Sequence, residues 1–207
     1  MFELVLATNN SGKIKEIRDL LLDYPLKILS LDSFSEIGKA EETGETFEEN
    51  ALIKARYIGN KTGKLALADD SGLEVDALNG APGVYSARFA GSGATDWQNN
   101  QKLLAQLSGM PYSKRTARFK CVIALYHFER GLWLFKGVCE GMILDEPRGK
   151  EGFGYDPLFY YPPFKTTFAE LNRAQKNAVS HRGQALFKLQ QNFDKILRQL
   201  EGQNGNG

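Results

Sequence analysis

The stretch from Leu65 to Gly83, LALADDSGLEVDALNGAPG, constrains this chain more than any other. Leu65–Ala68 is a short apolar run that predicts a buried strand, and Asp69 and Asp70 follow it directly. Side chains alternate along a strand, so at most one of these carboxylates can point toward the core. Two anions this close repel each other unless a cation lies between or beside them. The stretch therefore predicts a cation at the end of the strand.

The simplest cation for this position is Mg²⁺, which prefers carboxylate oxygens and keeps waters and substrate phosphates as its other ligands. Ser71 and Gly72 come next and supply a hydroxyl group and a backbone that a ligand can approach closely. The alternative is a tight turn in which one aspartate only caps the backbone. An isolated DDSG segment would favour that turn, so the choice depends on the rest of the chain.

Composition excludes several classes of protein. The 207 residues are enough for one substantial core or for two lobes that share a sheet. A formal net charge of +1 creates no global field for nucleic acid or an anionic membrane, so any anion site must be local. No apolar run approaches the length of a membrane span, and the first residues lack a basic segment followed by a long apolar one. We therefore expect a cytoplasmic protein that contacts neither nucleic acid nor membrane.

The two cysteines offer little support for a disulfide or a metal site. Cys121 and Cys139 fall on successive strand-like runs, and a symmetric hairpin would bring them opposite each other. In a reducing cytoplasm we expect two small buried apolar residues instead. With only two histidines and no CxxC motif, a zinc site has little support.

The N-terminal segment predicts a junction that can bind phosphate. Phe2–Ala7 has the pattern of a buried strand, and residues from Ile14 onward have helical spacing. The start of a helix presents free backbone N–H groups and the positive end of the helix dipole. The segment is not a Walker A loop, and an ordinary capped helix start is the alternative. The residues between strand and helix are Thr8, Asn9, Asn10, Ser11, Gly12 and Lys13, the last of which adds a full positive charge.

An acidic segment precedes the helix that leads into the aspartate strand. Thr46 and Glu49 form a capping box, which predicts a helix start. The residues 41–45 would most often form a solvated loop, but their position makes Glu41 a candidate metal ligand beside Asp69 and Asp70. Lys54 becomes a candidate phosphate contact. The buried stripe predicted for the helix consists of Phe47, Ala51, Ala55 and Ile58.

The segment 149–157, GKEGFGYDP, is rich in glycine and aromatic residues. Glycine lets the backbone approach a ligand closely, and Phe153 and Tyr155 offer flat apolar faces on which a base could stack. A turn whose aromatic side chains cover the edge of the core is the alternative. These residues by themselves leave both interpretations open.

A second candidate anion site lies near the C-terminus. Ser180 is a good N-cap for an amphipathic helix, which puts His181 and Arg182 in the first turn. Cations are unfavourable at the positive end of a helix, where carboxylates are expected. A bound anion or an acidic neighbour would remove this conflict, so we favour a ligand-binding role over a solvated surface pair.

The remaining segments complete an α/β pattern. Thr116–Phe128 and Leu132–Glu140 alternate as the two strands of a hairpin. A helix that begins at Thr95, with Gln98 as its capping partner, is predicted to carry Trp97, Leu104 and Leu107 inward. We expect one domain over residues 1–201 and a disordered tail over 202–207.

Together these candidates suggest a nucleoside triphosphate and Mg²⁺. Five blocks resemble the signature blocks of the inosine/xanthosine triphosphate pyrophosphatase family, and they occur in the family's order between residues 6 and 186. Five blocks together are far more specific than any one. They are ATNNSGKIKEI, EETGETFEENALIKA, ADDSGLEVDALNGAPGVYSAR, GFGYDPLF and KNAVSHRGQAL.

The resemblance implies an α/β fold with a long, mixed, twisted central sheet, helices in two lobes, an active cleft between the lobes, and a homodimer. It implies Mg²⁺-dependent hydrolysis of ITP, dITP and XTP to the monophosphate and pyrophosphate, which cleanses the nucleotide pool. Thr8–Lys13 would hold the triphosphate, Glu41 and Asp70 would bind Mg²⁺, and Asp70 would also activate water. The remaining substrate contacts would be Ser71, Phe153, Gly154, Tyr155, Asp156, Lys176, His181 and Arg182.

Two other functions fit parts of the pattern. A pyrophosphatase of the septum-inhibition type would act on pyrimidine or modified nucleotides, and base preference would separate it. A non-enzymatic module that binds RNA through basic and aromatic groups would show steeply salt-dependent binding and no Mg²⁺-dependent turnover. The nearly neutral charge counts against the RNA module.

Overall fold

The computed structural model describes residues 2–34 and 36–202 and confirms the α/β prediction. Seven strands form one mixed sheet. The strands are β1 Phe2–Leu6, β2 Leu26–Leu29, β3 Leu65–Val75, β4 Thr116–His127, β5 Gly131–Ile143, β6 Phe159–Tyr161 and β7 Thr166–Thr167. The helices are α1 Ser11–Leu20, α2 Phe47–Thr62, α3 Asp96–Gln106, α4 Arg173–Val179 and α5 His181–Gly202.

The strand order is β2-β1-β3-β4-β5-β6-β7. β1 runs parallel to both β2 and β3, and β6 runs antiparallel to both β5 and β7. The described chain separates into two compact units. Within the described residues, the first unit comprises the chain up to residue 70, residues 122–136 and the chain from residue 184 onward, and the second comprises 71–121 and 137–183. The prediction of a single domain over residues 1–201, with a cleft between two lobes, stays a prediction.

In the first unit, helix ends and apolar stripes form as the sequence indicates. The capping box of Thr46 and Glu49 is present, and α2 ends at Gly63 in the left-handed conformation that glycine adopts without strain. The predicted stripe of α2 is buried. Five apolar side chains of α5 are at most 2% exposed, which confirms the amphipathic pattern: Leu186, Leu189, Phe193, Ile196 and Leu200.

The strand β3 is longer than predicted. We expected an apolar run that stops at Asp69, but the strand continues to Val75, so the DDSG segment lies within it. The reason lies in the residues that follow, since Leu73 and Val75 alternate and are fully buried in the core of the second unit. Extended backbone therefore carries both aspartates, and the turn proposed as the alternative does not form.

Aromatic residues form much of the second unit's core. The rings of Phe119 and Phe159 lie 4.6 Å apart, and Phe119 stacks on Phe168 with centroids 5.8 Å apart. Cys139 belongs to the same cluster, and burial raises the pKa of its thiol to about 12. Cys121 and Cys139 are both buried free thiols, as expected.

Two predictions about individual side chains and boundaries were wrong. Trp97 is 69% exposed, because the buried face of α3 is built around Asn99 and Leu103. Trp97 lies two residues before Asn99, which is about 200° around the helix. Gly202 is the last residue of α5 and not part of a tail, whereas residues 203–207 lie outside the described residues.

Helices long and apolar enough to span a membrane do not occur among residues 2–34 and 36–202.

One ion-pair cluster in the first unit allows a test of pH-dependent stability. Glu3 of β1 accepts hydrogen bonds from Lys27 of β2 at 2.8 Å and from Lys64 beside β3 at 2.5 Å. These bonds lower the pKa of the Glu3 carboxyl from 4.5 to about 2. A lowered carboxyl pKa contributes stability that is present above pH 4.5 and is lost as the pH falls through about 2.

We expect Glu3→Gln to lower the melting temperature at neutral pH, with a difference from the native chain that shrinks steadily below pH 4.5. Thermal melts of both proteins across a pH series provide the measurement. Glu129→Gln, at an exposed turn position, is the control and should show no such convergence. A difference for Glu3→Gln that is the same at every pH would contradict the prediction.

Candidate active site

The N-terminal junction has the geometry that the sequence predicts. Asn10 caps α1, and its Oδ1 accepts a hydrogen bond from the Lys13 backbone N–H at 3.0 Å. Thr8 Oγ1 accepts from the Asn10 N–H at 3.2 Å. Ser11, Gly12 and Lys13 form the first turn of the helix, which contains no acidic residue. The positive end of the helix dipole therefore has no carboxylate of its own turn to neutralise it.

Lys13 reaches from this first turn to the aspartate strand. Its Nζ lies 2.6 Å from Asp69 Oδ1 and donates to the Asp69 carbonyl oxygen at 3.3 Å. Asp69 is only 1% exposed, so its charge is buried and depends on the ammonium group for compensation.

Lys54 of α2 forms the corresponding ion pair with the second aspartate, Asp70. Its Nζ lies 2.5 Å from Asp70 Oδ1, 3.1 Å from Glu42 Oε1 and 3.0 Å from the Asp69 carbonyl oxygen. Burial raises the pKa of Asp70, and the positive charges of Lys54 and Lys13 only partly oppose this. Burial alone would lower the pKa of Lys54, but the Asp70 and Glu42 carboxylates outweigh it and the pKa is raised. Lys54 thus stays charged.

The Lys13–Asp69 and Lys54–Asp70 pairs differ from the arrangement that led us to expect a metal ion. We expected one aspartate at most to be buried and the repulsion between the two to require Mg²⁺. Both are buried, because each carboxylate has a lysine beside it. Over the described part of the chain, three or more His, Cys, Asp or Glu side chains nowhere come together as a metal site, so the trio with Glu41 is not assembled. Glu41 is exposed, and its role with Asp70 as a metal ligand stays a prediction.

In the second unit, the start of α5 is buried. Ser180 Oγ accepts from the Gly183 N–H at 3.1 Å, which confirms the predicted N-cap. Arg182 is 1% exposed and donates from Nη2 to Ser71 Oγ at 2.9 Å. The His181 ring stacks on Phe119 with centroids 4.7 Å apart. The alternative of a solvated surface pair is therefore wrong for both residues.

The glycine at position 183 is required by close packing. A Cβ atom there would lie 1.7 Å from the Asn177 carbonyl oxygen, and the backbone cannot move aside cheaply. Asn177 belongs to α4, a short helix that the sequence analysis did not identify. Gly183 thus brings the start of α5 close to α4, the helix that carries Lys176.

The loop that contains Phe153 is held by buried charge. Asp156 Oδ2 accepts from the Phe153 backbone N–H at 2.9 Å and lies 2.6 Å from Lys176 Nζ, with both charged side chains almost fully buried. The ring of Phe153 lies under two cations, 4.7 Å from Lys176 Nζ and 5.5 Å from the Arg182 guanidinium carbon. This geometry is that of cation–π contacts.

Tyr155 has a different environment from Phe153. It is 3% exposed, and its hydroxyl donates to the Ser86 carbonyl oxygen at 2.8 Å. Burial raises the pKa of this hydroxyl strongly. Phe153 keeps part of its surface exposed, so its ring is more accessible to a ligand than the ring of Tyr155.

Three residues of these arrangements were not identified from the sequence. Glu42 pairs with Lys54, and Asp96 and Asn100 bond the backbone of Gly154. The acidic run 41–45 marks the region of Glu42. No local pattern distinguishes Asp96 and Asn100, because their partner lies more than fifty residues away in the chain.

A family model and the curated relatives of this chain point to the same family. The model of the Ham1 family matches residues 4–192. The chain is 53% identical over 194 residues to a dITP/XTP pyrophosphatase of Desulforamulus reducens, covering 94% of this chain and 96% of that protein. It is 54% identical over 186 residues to a dITP/XTP pyrophosphatase of Geobacter sulfurreducens, covering 90% and 94%.

Solved structures agree with the sequence relatives. A HAM1 protein from Coxiella burnetii has a TM-score of 0.86 and 51% identity, covering 94% of this chain and all of that chain. The Staphylococcus aureus Ham1 protein has a TM-score of 0.84 and 41% identity, covering 93% and 98%. Since the family model, the sequence relatives and the solved structures all span nearly the whole chain, this protein belongs to the Ham1 family.

Proposed function

We propose that this chain is a nucleoside triphosphate pyrophosphatase that hydrolyses ITP, dITP and XTP to the monophosphate and pyrophosphate. Its role is to remove these nucleotides before they enter DNA or RNA. The observation that carries the proposal is the pair of partly buried lysines, Lys13 and Lys54, that meet adjacent buried carboxylates on one strand. Relatives that are more than half identical over nearly their full length, and that are named dITP/XTP pyrophosphatases, supply the substrate class.

The lysines and the helix start provide the triphosphate site. Lys13 lies in the first turn of α1, where backbone N–H groups and the helix dipole also favour an anion. The ammonium group of Lys54 remains charged beside Asp70. A triphosphate carries several negative charges, so it can share both ammonium groups with the aspartates that hold them. Residues 8–13 and Lys54 therefore bind the phosphates.

Asp70 is suited to activate the attacking water. Its burial raises the pKa of the carboxyl, and a carboxylate with a raised pKa is a stronger base than a solvated one. The neighbouring ammonium group of Lys54 favours the ionised form of the carboxyl and fixes its position. Asp70 thus orients a water and accepts its proton as the water attacks the α-phosphorus and pyrophosphate leaves.

The donor set fits a hard divalent cation. Carboxylate oxygens from Glu41 and Asp70 are the ligand type that Mg²⁺ prefers, and no soft ligand belongs to the set. These two residues would hold the ion. When bound, Mg²⁺ supplies positive charge that neutralises the triphosphate.

The second unit provides the base site. Inosine and xanthosine carry an oxygen at purine C6 where adenosine carries an amino group, so a donor near that atom would accept them and mispair with adenosine. His181, Arg182 or backbone N–H groups are the candidate donors, and Phe153 offers a partly exposed ring. Each mispaired buried group costs about 1–3 kcal/mol, or roughly tenfold to a hundredfold in discrimination. Ser71, Gly154, Tyr155, Asp156 and Lys176 complete the proposed nucleotide contacts.

We further propose that the enzyme is a homodimer and acts in the cytoplasm, without nucleic-acid or membrane partners. The support is the resemblance of the signature blocks and the near-neutral charge.

Product analysis with purified protein and Mg²⁺ tests the reaction. We expect ITP and XTP to yield monophosphate and pyrophosphate, and ATP and GTP to be largely spared. Release of diphosphate and inorganic phosphate would overturn attack at the α-phosphorus. An absence of turnover with all four nucleotides would overturn the function.

Asp70→Asn should reduce kcat by about 10²–10⁴, because it removes the base while leaving the side-chain volume unchanged. The melting temperature should change little, since Lys54 keeps Glu42 as a partner. Asp76→Asn is the control: Asp76 pairs with Arg118 in the second unit and has no proposed role in turnover. Near-native kcat in Asp70→Asn at saturating Mg²⁺ would show that Asp70 is not the base.

A comparison of neighbouring glutamates tests the metal ligand. Glu41→Gln should raise the Mg²⁺ concentration that gives the half-maximal rate about tenfold or more. This corresponds to a loss of about 1.4 kcal/mol in the binding free energy of Mg²⁺. Glu42→Gln removes a partner of Lys54 and should instead raise KM for the nucleotide, with a smaller change in Mg²⁺ demand. If Glu42→Gln has the larger effect on Mg²⁺ demand, the ligand assignment is wrong.

A further inference from the structure

Helix α3 holds both backbone polar groups of one loop residue. Asp96 Oδ2 accepts a hydrogen bond from the Gly154 N–H at 2.6 Å. Asn100 Nδ2 donates to the Gly154 carbonyl oxygen at 2.9 Å. Asp96 and Asn100 are four residues apart and so share one helix face. Gly154 itself has a φ of 62°, a left-handed conformation that needs either glycine or external support.

Two residues near Gly154, Phe153 and Asp156, contact the charged side chains of this unit. Phe153 lies under the Lys176 and Arg182 cations, and Asp156 bonds Lys176. Asp156 accepts from the Phe153 N–H and from Lys176, so these contacts fix the residue before Gly154 and not the Gly154 peptide groups themselves. Asp96 and Asn100 supply those two bonds. Helix α3 thus fixes the position of the Gly154 peptide groups, which lie in the chain between Phe153 and Asp156.

Asn100 is poorly explained as a residue that only stabilises the fold. Its Oδ1 is buried and has no hydrogen-bond partner among residues 2–34 and 36–202. A buried acceptor without a partner costs about 1–3 kcal/mol, which offsets what the Nδ2 bond contributes. The amide therefore adds little net stability, and what it provides is the position of the Gly154 carbonyl group.

We propose that Asp96 and Asn100 are positioning residues for nucleotide binding. They hold Gly154 and thereby set the Phe153 ring and the Asp156 carboxylate for the purine, without touching the substrate themselves. The proposal rests on the proposed function, in which the loop 153–156 encloses the base. The base lies away from the reacting phosphorus, so a displaced loop weakens substrate and transition state equally.

Variants of Asn100 separate positioning from stability. Asn100→Ala should raise KM for ITP about tenfold with kcat within about twofold, the pattern of lost uniform binding. Its melting temperature should change little, because the variant loses the orphan Oδ1 together with the donor. Asn100→Asp turns a carboxylate oxygen toward the Gly154 carbonyl oxygen and should raise KM further. Gln101→Ala, at the exposed next position of α3, is the control and should match the native chain.

Asp96 can be tested by conservative rescue. Asp96→Asn retains an oxygen that accepts from the Gly154 N–H, so its KM should remain within about threefold of the native value. Asp96→Ala removes the acceptor and should raise KM about tenfold. Equal KM values for the two variants would contradict a hydrogen-bonding role for Asp96.

A double-mutant cycle shows whether Asn100 acts through the ring. In a Phe153→Ala background, Asn100→Ala should produce almost no further loss of ITP affinity, since the group that it positions is gone. Fully additive losses would overturn the proposal. So would an unchanged KM in Asn100→Ala, or a fall in kcat and melting temperature without a change in KM.

Equilibrium binding of inosine monophosphate gives a readout that needs no turnover. Native protein should bind it, and Asn100→Ala should bind it about tenfold more weakly. Native protein that binds the monophosphate but hydrolyses no triphosphate would overturn the proposed function alone. Equal affinity in native protein and Asn100→Ala would overturn the positioning role alone, and native protein that does not bind the monophosphate would overturn both.

Discussion

Two adjacent buried carboxylates on β3, each with an ammonium group beside it, are the interaction on which the first unit's chemistry depends. Lys13 brings the start of α1 to Asp69, and Lys54 brings α2 to Asp70. A buried ion pair is weak evidence for stability, but removing the ammonium group beside a buried carboxylate leaves an uncompensated charge and costs about 3–5 kcal/mol. The arrangement therefore ties two helices to one strand and brings two ammonium groups to the same strand residues.

The second unit uses the same principle with different groups. Lys176 and Asp156 form a buried pair, and Arg182 reaches Ser71, the residue after Asp70 in the chain. The Arg182 cation in the first turn of α5 opposes the helix dipole, a cost that hydrogen-bond partners or a bound anion can offset. The ring of Phe153 contacts both cations, and the next residue, Gly154, is held by Asp96 and Asn100 of α3.

Local signals predicted much of this structure because their physics is local. The capping boxes at Thr46 and Thr95 and the N-cap at Ser180 formed where the residues indicate, since each bond joins groups three residues apart. Helical spacing predicted the buried stripes of α2 and α5. The length of β3 was missed because charge at Asp69 and Asp70 looked like the end of a strand, and the partners that neutralise it come from distant segments.

By itself, the sequence determined the α/β class, the capped starts of α2, α3 and α5, and the family, because periodicity, capping and motif order depend on residues close together in the chain. Tertiary structure decided which charges meet. It paired each aspartate with its own lysine, turned Trp97 outward, buried Tyr155, and joined Asp96 and Asn100 to Gly154. These outcomes depend on contacts between residues far apart in the chain, and only folding sets the distances on which Coulomb and hydrogen-bond energies depend.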